Sequence, residues 1–546
     1  MTGHAGHADR LGQVVSVAAS RLTGLLDSSP RAGESAVPRL GDLVRIEALR
    51  GAVYGLISSL AACDPCRQGA ASGAALMEID LLGEAVAGQS GAVFRRGVSS
   101  YPLLGAAVFA SGQADLALVY AKPDADCVRV GSLHQDPSVT AHLIVDTLLG
   151  EHFAVLGSTG SGKSCAVAVI LRAVLRDHPH GRIVVLDLHD EYAGSFGDGA
   201  LRLAAGDLQL SYWFLNFEET VEALCGVEET SRQIEAAILR EAVVAAKRDH
   251  QAGRGADVPL TVDTPTPYRL TRLIELLREG MGRLDKPENA TPYLRLIGRI
   301  ESLRRDARFG FMFSGLVTED ILEEVLATIL RIPAAGKPVT IVNLAGVPSE
   351  ILDVVVSLLC RLIFDFALWS GRGQGAPALP VLPVLLVCEE AHRYIPRDLA
   401  PGRREGAASF GPTRKAITRI AKEGRKYGVS LGLVTQRPSE ISETVLSQCN
   451  TLFSLRLSNE SDQEFVRRAL PDTAAGLLGA LPALRTQEAV VVGEGVSVPM
   501  RIRFDDLGEG ERPLSRGAPF SASWRDPVEP GRLVAEAVER WRGRGK

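Results

Sequence analysis

The sequence predicts an α/β protein: a mostly parallel sheet covered by helices, with a small β-rich domain before it and a helical insertion inside it. Three observations carry this reading. A glycine-rich loop, Gly157-Ser158-Thr159-Gly160-Ser161-Gly162-Lys163-Ser164, joins an apolar run of strand length (153–156) to a helical stretch that starts at Cys165. Further short apolar runs at 183–186, 339–344, 383–388, 429–434 and 451–457 alternate with helical segments, the pattern of a parallel sheet. Between about 216 and 332 that alternation stops and only helical periodicity remains.

Residues 1–145 read as short apolar runs broken by Gly, Pro and Asp, at 13–16, 43–46, 53–57, 77–82 and 116–120. Short strands at that spacing predict a small β-barrel or sandwich. The α/β domain then runs over 146–215 and resumes over 333–507. The intervening 216–332 show Ile234, Ile238 and Ala245 on one helical face, then Leu270, Leu273, Ile274 and Leu277 closed by Gly280, then Leu296, Ile300 and Leu303. Thr291-Pro292 suits a helix cap followed by Pro at the first helical position. Segments 371–380, 397–413 and 508–530 are rich in Gly, Pro, Arg and Ser and read as loops, with 508–546 as an extended tail.

Bulk properties bound the function. At 546 residues the chain exceeds one core, so two to four domains are expected. A net charge of −5 gives no global pull toward polyanions, so any nucleic-acid site must be a local patch. No apolar run reaches membrane-spanning length, and residues 1–9 lack the apolar core of a signal peptide. A cytoplasmic protein with no membrane contact is expected. Cys165, Cys360 and Cys388 fit buried positions and reduced thiols. Cys63 and Cys66 form a lone C-x-x-C, either a loop with two thiols or a zinc or redox pair.

The chemistry gathers around the glycine-rich loop. The pattern G-x-x-x-x-G-K-[ST] cradles phosphates when it lies between a strand and a helix. Gly157, Gly160 and Gly162 let the backbone aim its N–H groups at one anion, and Ser158, Thr159, Ser161 and Cys165 complete the wall. Lys163 is placed to reach the β- and γ-phosphates of ATP, and the Ser164 hydroxyl to ligate Mg²⁺. The apolar run 384–388 ends in Glu389-Glu390: Glu389 is the candidate Mg²⁺ group, Glu390 the candidate catalytic base, with a solvated acidic helix start as the alternative. At the end of run 183–186, Asp187 or Glu191 would join the water and metal network, unless Asp187 only caps the next turn. Gln436, after run 429–434, is either a γ-phosphate sensor or a satisfied loop amide. Residues 397–426 hold nine Lys/Arg against three acids, a local +6. Arg403, Arg404, Arg414 and Lys415 are the candidate DNA contacts. The alternative is a solvated basic helix.

With these residues in view the chain resembles the HerA family of hexameric DNA-translocating ATPases, relatives of the FtsK motors. The matching segments are the phosphate loop, Leu186-Asp187-Leu188-His189-Asp190-Glu191-Tyr192, Glu389-Glu390-Ala391-His392, the stretch from Arg419 to Gly428, Gln436-Arg437-Pro438 and Cys449-Asn450-Thr451. His189-Asp190 departs from the usual pattern before Glu-Tyr. The resemblance implies a RecA-like P-loop ATPase core, a barrel before it and a C-terminal brace reaching a neighbouring subunit. It also implies a homohexamer with double-stranded DNA in its pore and ATP between subunits. Lys163, Ser164, Glu389, Glu390 and Gln436 carry over as site residues, with Arg425 and then Arg419 as the arginine finger acting in trans. It further implies a separate partner: a NurA-type nuclease for DNA end processing, or a sirtuin-like NADase or another nuclease in anti-phage defence. An ATP-regulated hexameric scaffold that activates such an effector is the alternative, and a conjugation-type coupling ATPase a third.

Overall fold

The computed structural model describes residues 10–27, 38–49, 51–62, 75–88, 91–252, 259–282, 287–314, 319–371, 381–397, 411–469, 475–514, 520–525 and 530–542. Cys63, Cys66, Arg403 and Arg404 lie outside them.

The first seven strands are Arg10–Val17 (β1), Arg21–Leu26 (β2), Leu43–Ala48 (β3), Gly51–Ala62 (β4), Ala75–Gly88 (β5), Gly91–Arg96 (β6) and Ala107–Ala110 (β7). Their order is β2-β1-β7-β3-β4-β5-β6, and β2 also pairs with β5. Six strands therefore close a barrel and β6 hangs from one edge. Alternation along each strand sends Val14, Leu22, Ile46, Val53, Ile57, Met77, Ile79 and Val108 into its core. The run 116–120, expected as a strand, lies instead in and just after the helix Gln113–Val119. The Asp115 carboxylate accepts the Gly112 N–H at 3.0 Å and starts that helix, and Leu116 and Val119 share its buried face.

Cys127–Leu133 (β8) and Thr140–Ile144 (β9) fall inside the first 145 residues but leave the barrel. Their antiparallel pairing has the same alternating pattern as barrel strands, so position in the sheet separates them where sequence does not. The remaining strands are Phe153–Leu156 (β10), Ile183–Asp187 (β11), Ala200–Ala204 (β12), Val339–Asn343 (β13), Val384–Cys388 (β14), Val429–Thr435 (β15), Thr451–Ser454 (β16), Glu488–Gly493 (β17) and Met500–Phe504 (β18). They order as β12-β13-β11-β14-β15-β10-β16-β17-β18-β8-β9. Pairing is parallel from β12 through β16 and antiparallel beyond it. The parallel strands expected from the sequence are all present, and β10, β11, β14 and β16 are wholly buried, as strands covered on both faces must be.

Between β12 and β13 the described elements are helical: Phe217–Leu224, Glu229–Ala252, Leu270–Met281, Pro287–Arg305, Gly310–Phe313 and Leu322–Leu330. Leu270, Leu273, Ile274 and Leu277 form the buried stripe of the third. Among the described residues no helix is long and apolar enough to cross a membrane. The tail begins by returning to its own domain. Leu514 N–H donates to Glu191 O at 2.7 Å, and Arg172 pairs with Glu511. The later helix Pro530–Trp541 exposes Leu533, Val534 and Trp541.

Candidate functional site

Strands β11, β14, β15 and β10 are successive neighbours, and all four end on one edge of the sheet. That edge is where open α/β sheets bind ligands. The loop after β10 is pinned by its neighbours: Gly157 N–H donates to Thr435 O at 3.3 Å, and Ser158 N–H to Arg456 O at 2.8 Å. Gly162 caps the helix Lys163–Asp177 with φ +98°, a left-handed conformation that a side chain would strain. Any Cβ at Gly157 would meet Ser161 Oγ at 2.6 Å and Leu455 Cβ at 2.9 Å. Both glycines are thus required by the loop's own path.

Lys163 is buried at the first turn of that helix, its Nζ donating to Ser158 O at 3.2 Å. Burial pulls its pKa down, while Glu389, Glu390 and Glu191 hold it up. Ser164 Oγ donates to Glu191 Oε2 at 2.5 Å. Asp187 accepts the N–H groups of His189, Glu191 and Tyr192 at 3.2, 3.2 and 3.0 Å. It therefore caps the turn that presents Glu191, the second of the two roles left open by its sequence.

Glu389 is 2% exposed. Tyr192 donates its hydroxyl to Glu389 Oε2 at 2.9 Å, and Tyr394 donates to the Glu389 carbonyl. Burial is the main cause that pushes the Glu389 carboxyl up to about 8; Tyr192 opposes it, while Glu191 and Glu390 add to it. Glu390 follows with φ +49° and is buried too. Its Oε2 lies 3.2 Å from His392 Nδ1, yet has no hydrogen-bond partner among the described residues. The Nδ1 atom is directed to Thr435 Oγ1, at 3.0 Å. Gln436, next in the chain, accepts the Thr159 hydroxyl proton.

The residues present fit a magnesium nucleotide. Glu191, Glu389 and Glu390 surround one buried lysine, leaving carboxylate charge in excess and, among the described residues, Glu390 Oε2 without a donor. Among the described residues no three His, Cys, Asp or Glu form a complete metal cage. Mg²⁺ takes one or two protein oxygens and completes its shell with phosphate and water.

The structure brings Gly157 through Ser164, Glu191, Glu389, Glu390 and Gln436 to one edge, with Cys165 half-buried beside Gln487 and Arg512. The basic helix Pro412–Tyr427 lies elsewhere. It runs antiparallel to the strands, so its first turn is level with the phosphate loop and its last turn is at the opposite edge. Arg425 is at that far end, paired with Glu151 at 2.8 Å. Arg419 stacks over Phe364 at 4.5 Å and lies 3.6 Å from Asp365. Lys415 is exposed and pairs with Glu218 at 3.2 Å. Arg414 is buried against Ser442, at 3.4 Å, so its guanidinium is not on the exposed face. Lys415, Arg419, Lys422 and Lys426 form the exposed basic stripe instead, spaced four, three and four residues apart. Tyr192 and His392 stood in the quoted motifs without a role, and Thr435 fell between run 429–434 and Gln436; their identity as polar residues beside predicted strand ends was the available signal.

A phosphate loop between a parallel strand and a helix, faced by buried carboxylates from the adjoining strand ends, defines a P-loop ATPase. Comparison with known proteins places it further. Residues 128–363 match the model of the central domain of helicase HerA. A DNA double-strand break repair helicase HerA of Pyrococcus furiosus is 29% identical over 419 residues, covering 70% of each chain. The Sulfolobus acidocaldarius protein of that name is 26% identical over 443 residues, covering 81% of this chain and 80% of its own. Among solved structures, VirB4 of Thermoanaerobacter pseudethanolicus covers 71% of this chain and 98% of its own at 14% identity, with a TM-score of 0.49. Over these stretches the chain is similar to the HerA helicases.

Proposed function

We propose that this protein is an ATP-driven translocase on double-stranded DNA. It works as a homohexameric ring with ATP at the subunit interfaces, beside a separate nuclease or other effector. The observation that carries the reading is the single edge on which Lys163, Ser164, Glu389, Glu390 and Gln436 converge. The relatives named as DNA double-strand break repair helicases support the DNA-directed part.

In this reading the backbone of residues 157–164 and Lys163 hold the β- and γ-phosphates of ATP. Ser164 and Glu389 would hold Mg²⁺, which supplies charge neutralisation between those phosphates. Glu390 orients the attacking water, and Gln436 contacts the γ-phosphate. The chain's contribution is positioning and fixed charge, the dominant part of phosphoryl-transfer catalysis. Arg425 is the first candidate for the arginine reaching a neighbour's phosphates and Arg419 the second; Arg425 suits only a ring in which the neighbour's loop faces the far edge of the sheet. The exposed stripe from Lys415 to Lys426, together with Arg403 and Arg404, meets DNA phosphates. The domains divide as 1–145, 146–215 with 333–507, the insertion 216–332, and the 508–546 brace, with β8 and β9 completing the ATPase sheet.

Displacement of a third strand from linear triplex DNA tests the motor. The protein should displace it with ATP, and neither Lys163→Ala nor Glu390→Gln should do so while either still assembles. Displacement by Glu390→Gln at the parental rate would overturn the motor reading.

A further inference from the structure

We infer that His392 is a positioning residue for Glu390, tying that carboxylate to the end of β15 through Thr435. The inference rests on Glu390 being the base.

Glu390 is held in the left-handed region, a strained arrangement that persists only where the surroundings impose it. The conformation puts its carboxylate in a buried position where Oε2 has no hydrogen-bond partner among the described residues. A buried acceptor without a donor is unfavourable. The nitrogen within reach is His392 Nδ1, at 3.2 Å. That same atom is 3.0 Å from Thr435 Oγ1, and Thr435 Oγ1 already accepts the Arg437 N–H at 3.0 Å. The hydroxyl proton of Thr435 is therefore free to point at Nδ1.

One nitrogen thus faces two oxygens. If it accepts the Thr435 proton, Glu390 is left without a donor; if it carries a proton itself, that N–H lies between Thr435 Oγ1 and Glu390 Oε2 and is shared by both. In the second arrangement Oε2 is fixed and the other carboxylate oxygen is left for water. His392 has 11% of its side chain exposed, so packing sets where its ring sits. Thr435 adjoins Gln436, which accepts the hydroxyl proton of Thr159 in the phosphate loop. Contacts therefore run unbroken from Thr159 through Gln436, Thr435 and His392 to Glu390. A ligand that engages Gln436 shifts the end of β15, and His392 passes that shift to the base.

The test uses the full chain and measures ATP affinity and single-turnover hydrolysis for His392→Ala, His392→Asn, Thr435→Val and Glu390→Gln, each checked by its melting temperature. His392→Ala should lose about ten- to a hundredfold in turnover, as a misplaced catalytic group does, with ATP affinity unchanged. His392→Asn, whose amide reaches the Nδ1 position, should recover part of that loss. Thr435→Val keeps the shape and removes the hydroxyl, so it should reproduce the loss even if His392→Ala folds poorly. Parental turnover in His392→Ala or in Thr435→Val overturns the inference. So does equal loss of affinity and turnover with no recovery by asparagine. If Glu390→Gln is inactive while His392→Ala is not, the positioning role alone fails. If Glu390→Gln hydrolyses ATP normally, the base assignment fails and this inference with it.

Discussion

Substituting Arg361 by methionine should cost the protein about 3–5 kcal/mol, because it strands a buried charge. Glu219 has no exposed surface. It accepts from Arg361 Nε and Nη2 at 3.1 and 2.9 Å, from Ser357 Oγ at 2.8 Å and from Asn216 N–H at 3.0 Å. Arg361→Met removes two of these donors and the only cation among them, and also takes a donor from Phe214 O. The reverse change is milder. Glu219→Leu leaves Arg361 its contacts with Phe214 O and with Asp365 at 3.2 Å. The double variant has no stranded charge, so it should be less destabilised than Arg361→Met by roughly 1–2 kcal/mol, despite the unpaired Asn216 N–H and Ser357 hydroxyl. Urea unfolding of the four proteins, followed together with hydrogen exchange at 217–224, forms a double-mutant cycle. The pair joins the helices Phe217–Leu224 and Ser349–Ser370, so exchange should rise there first. Losses that simply add, or an Arg361→Met protein as stable as the parent, would refute the reasoning.

Three other outcomes follow from the site. Lys163→Ala should lower ATP turnover by about a hundredfold or more, since a preorganised cation at a developing charge is worth that much; steady-state hydrolysis checks it. The raised Glu389 carboxyl keeps its proton in the folded state, near pH 8, while the unfolded chain releases it near 4.5. Its contribution is fully present below the unfolded value and is lost as pH rises through about 8. Melting temperature without nucleotide should therefore fall across that range, and Tyr192→Phe, which removes the hydrogen bond favouring the charged form, should move the fall to higher pH. A flat profile in both proteins would contradict the assignment. Mixing Arg425→Ala with Lys163→Ala subunits should restore part of the ATPase activity at mixed interfaces, and no recovery would count against the trans assignment.

Much of the ATPase core was legible because its signals are local. Buried parallel strands are unbroken apolar runs, and a phosphate loop must carry glycine where φ is positive. The strand ends that hold Glu389 and Gln436 follow from the same runs. What the chain hid was tertiary pairing. β8 and β9 carry the alternation of barrel strands and only their partner β18 assigns them to the other sheet. Leu116 to Tyr120 is apolar enough for a strand, and the Asp115 cap that makes it helical is one residue in a loop-like stretch. Arg414 belongs to a run of cations by sequence, but its helical phase turns it inward. The contacts of Glu219 with Arg361, and of His392 with Thr435, cross 142 and 43 residues, and no periodicity reports such meetings.

The most direct test of the account is ATP hydrolysis by the purified protein, with and without linear duplex DNA, alongside its mass in solution. The account predicts a six-subunit particle whose hydrolysis rises when duplex is added and falls by about a hundredfold or more in Lys163→Ala. A monomer, or a ring whose hydrolysis persists at the parental rate in Lys163→Ala, would contradict it.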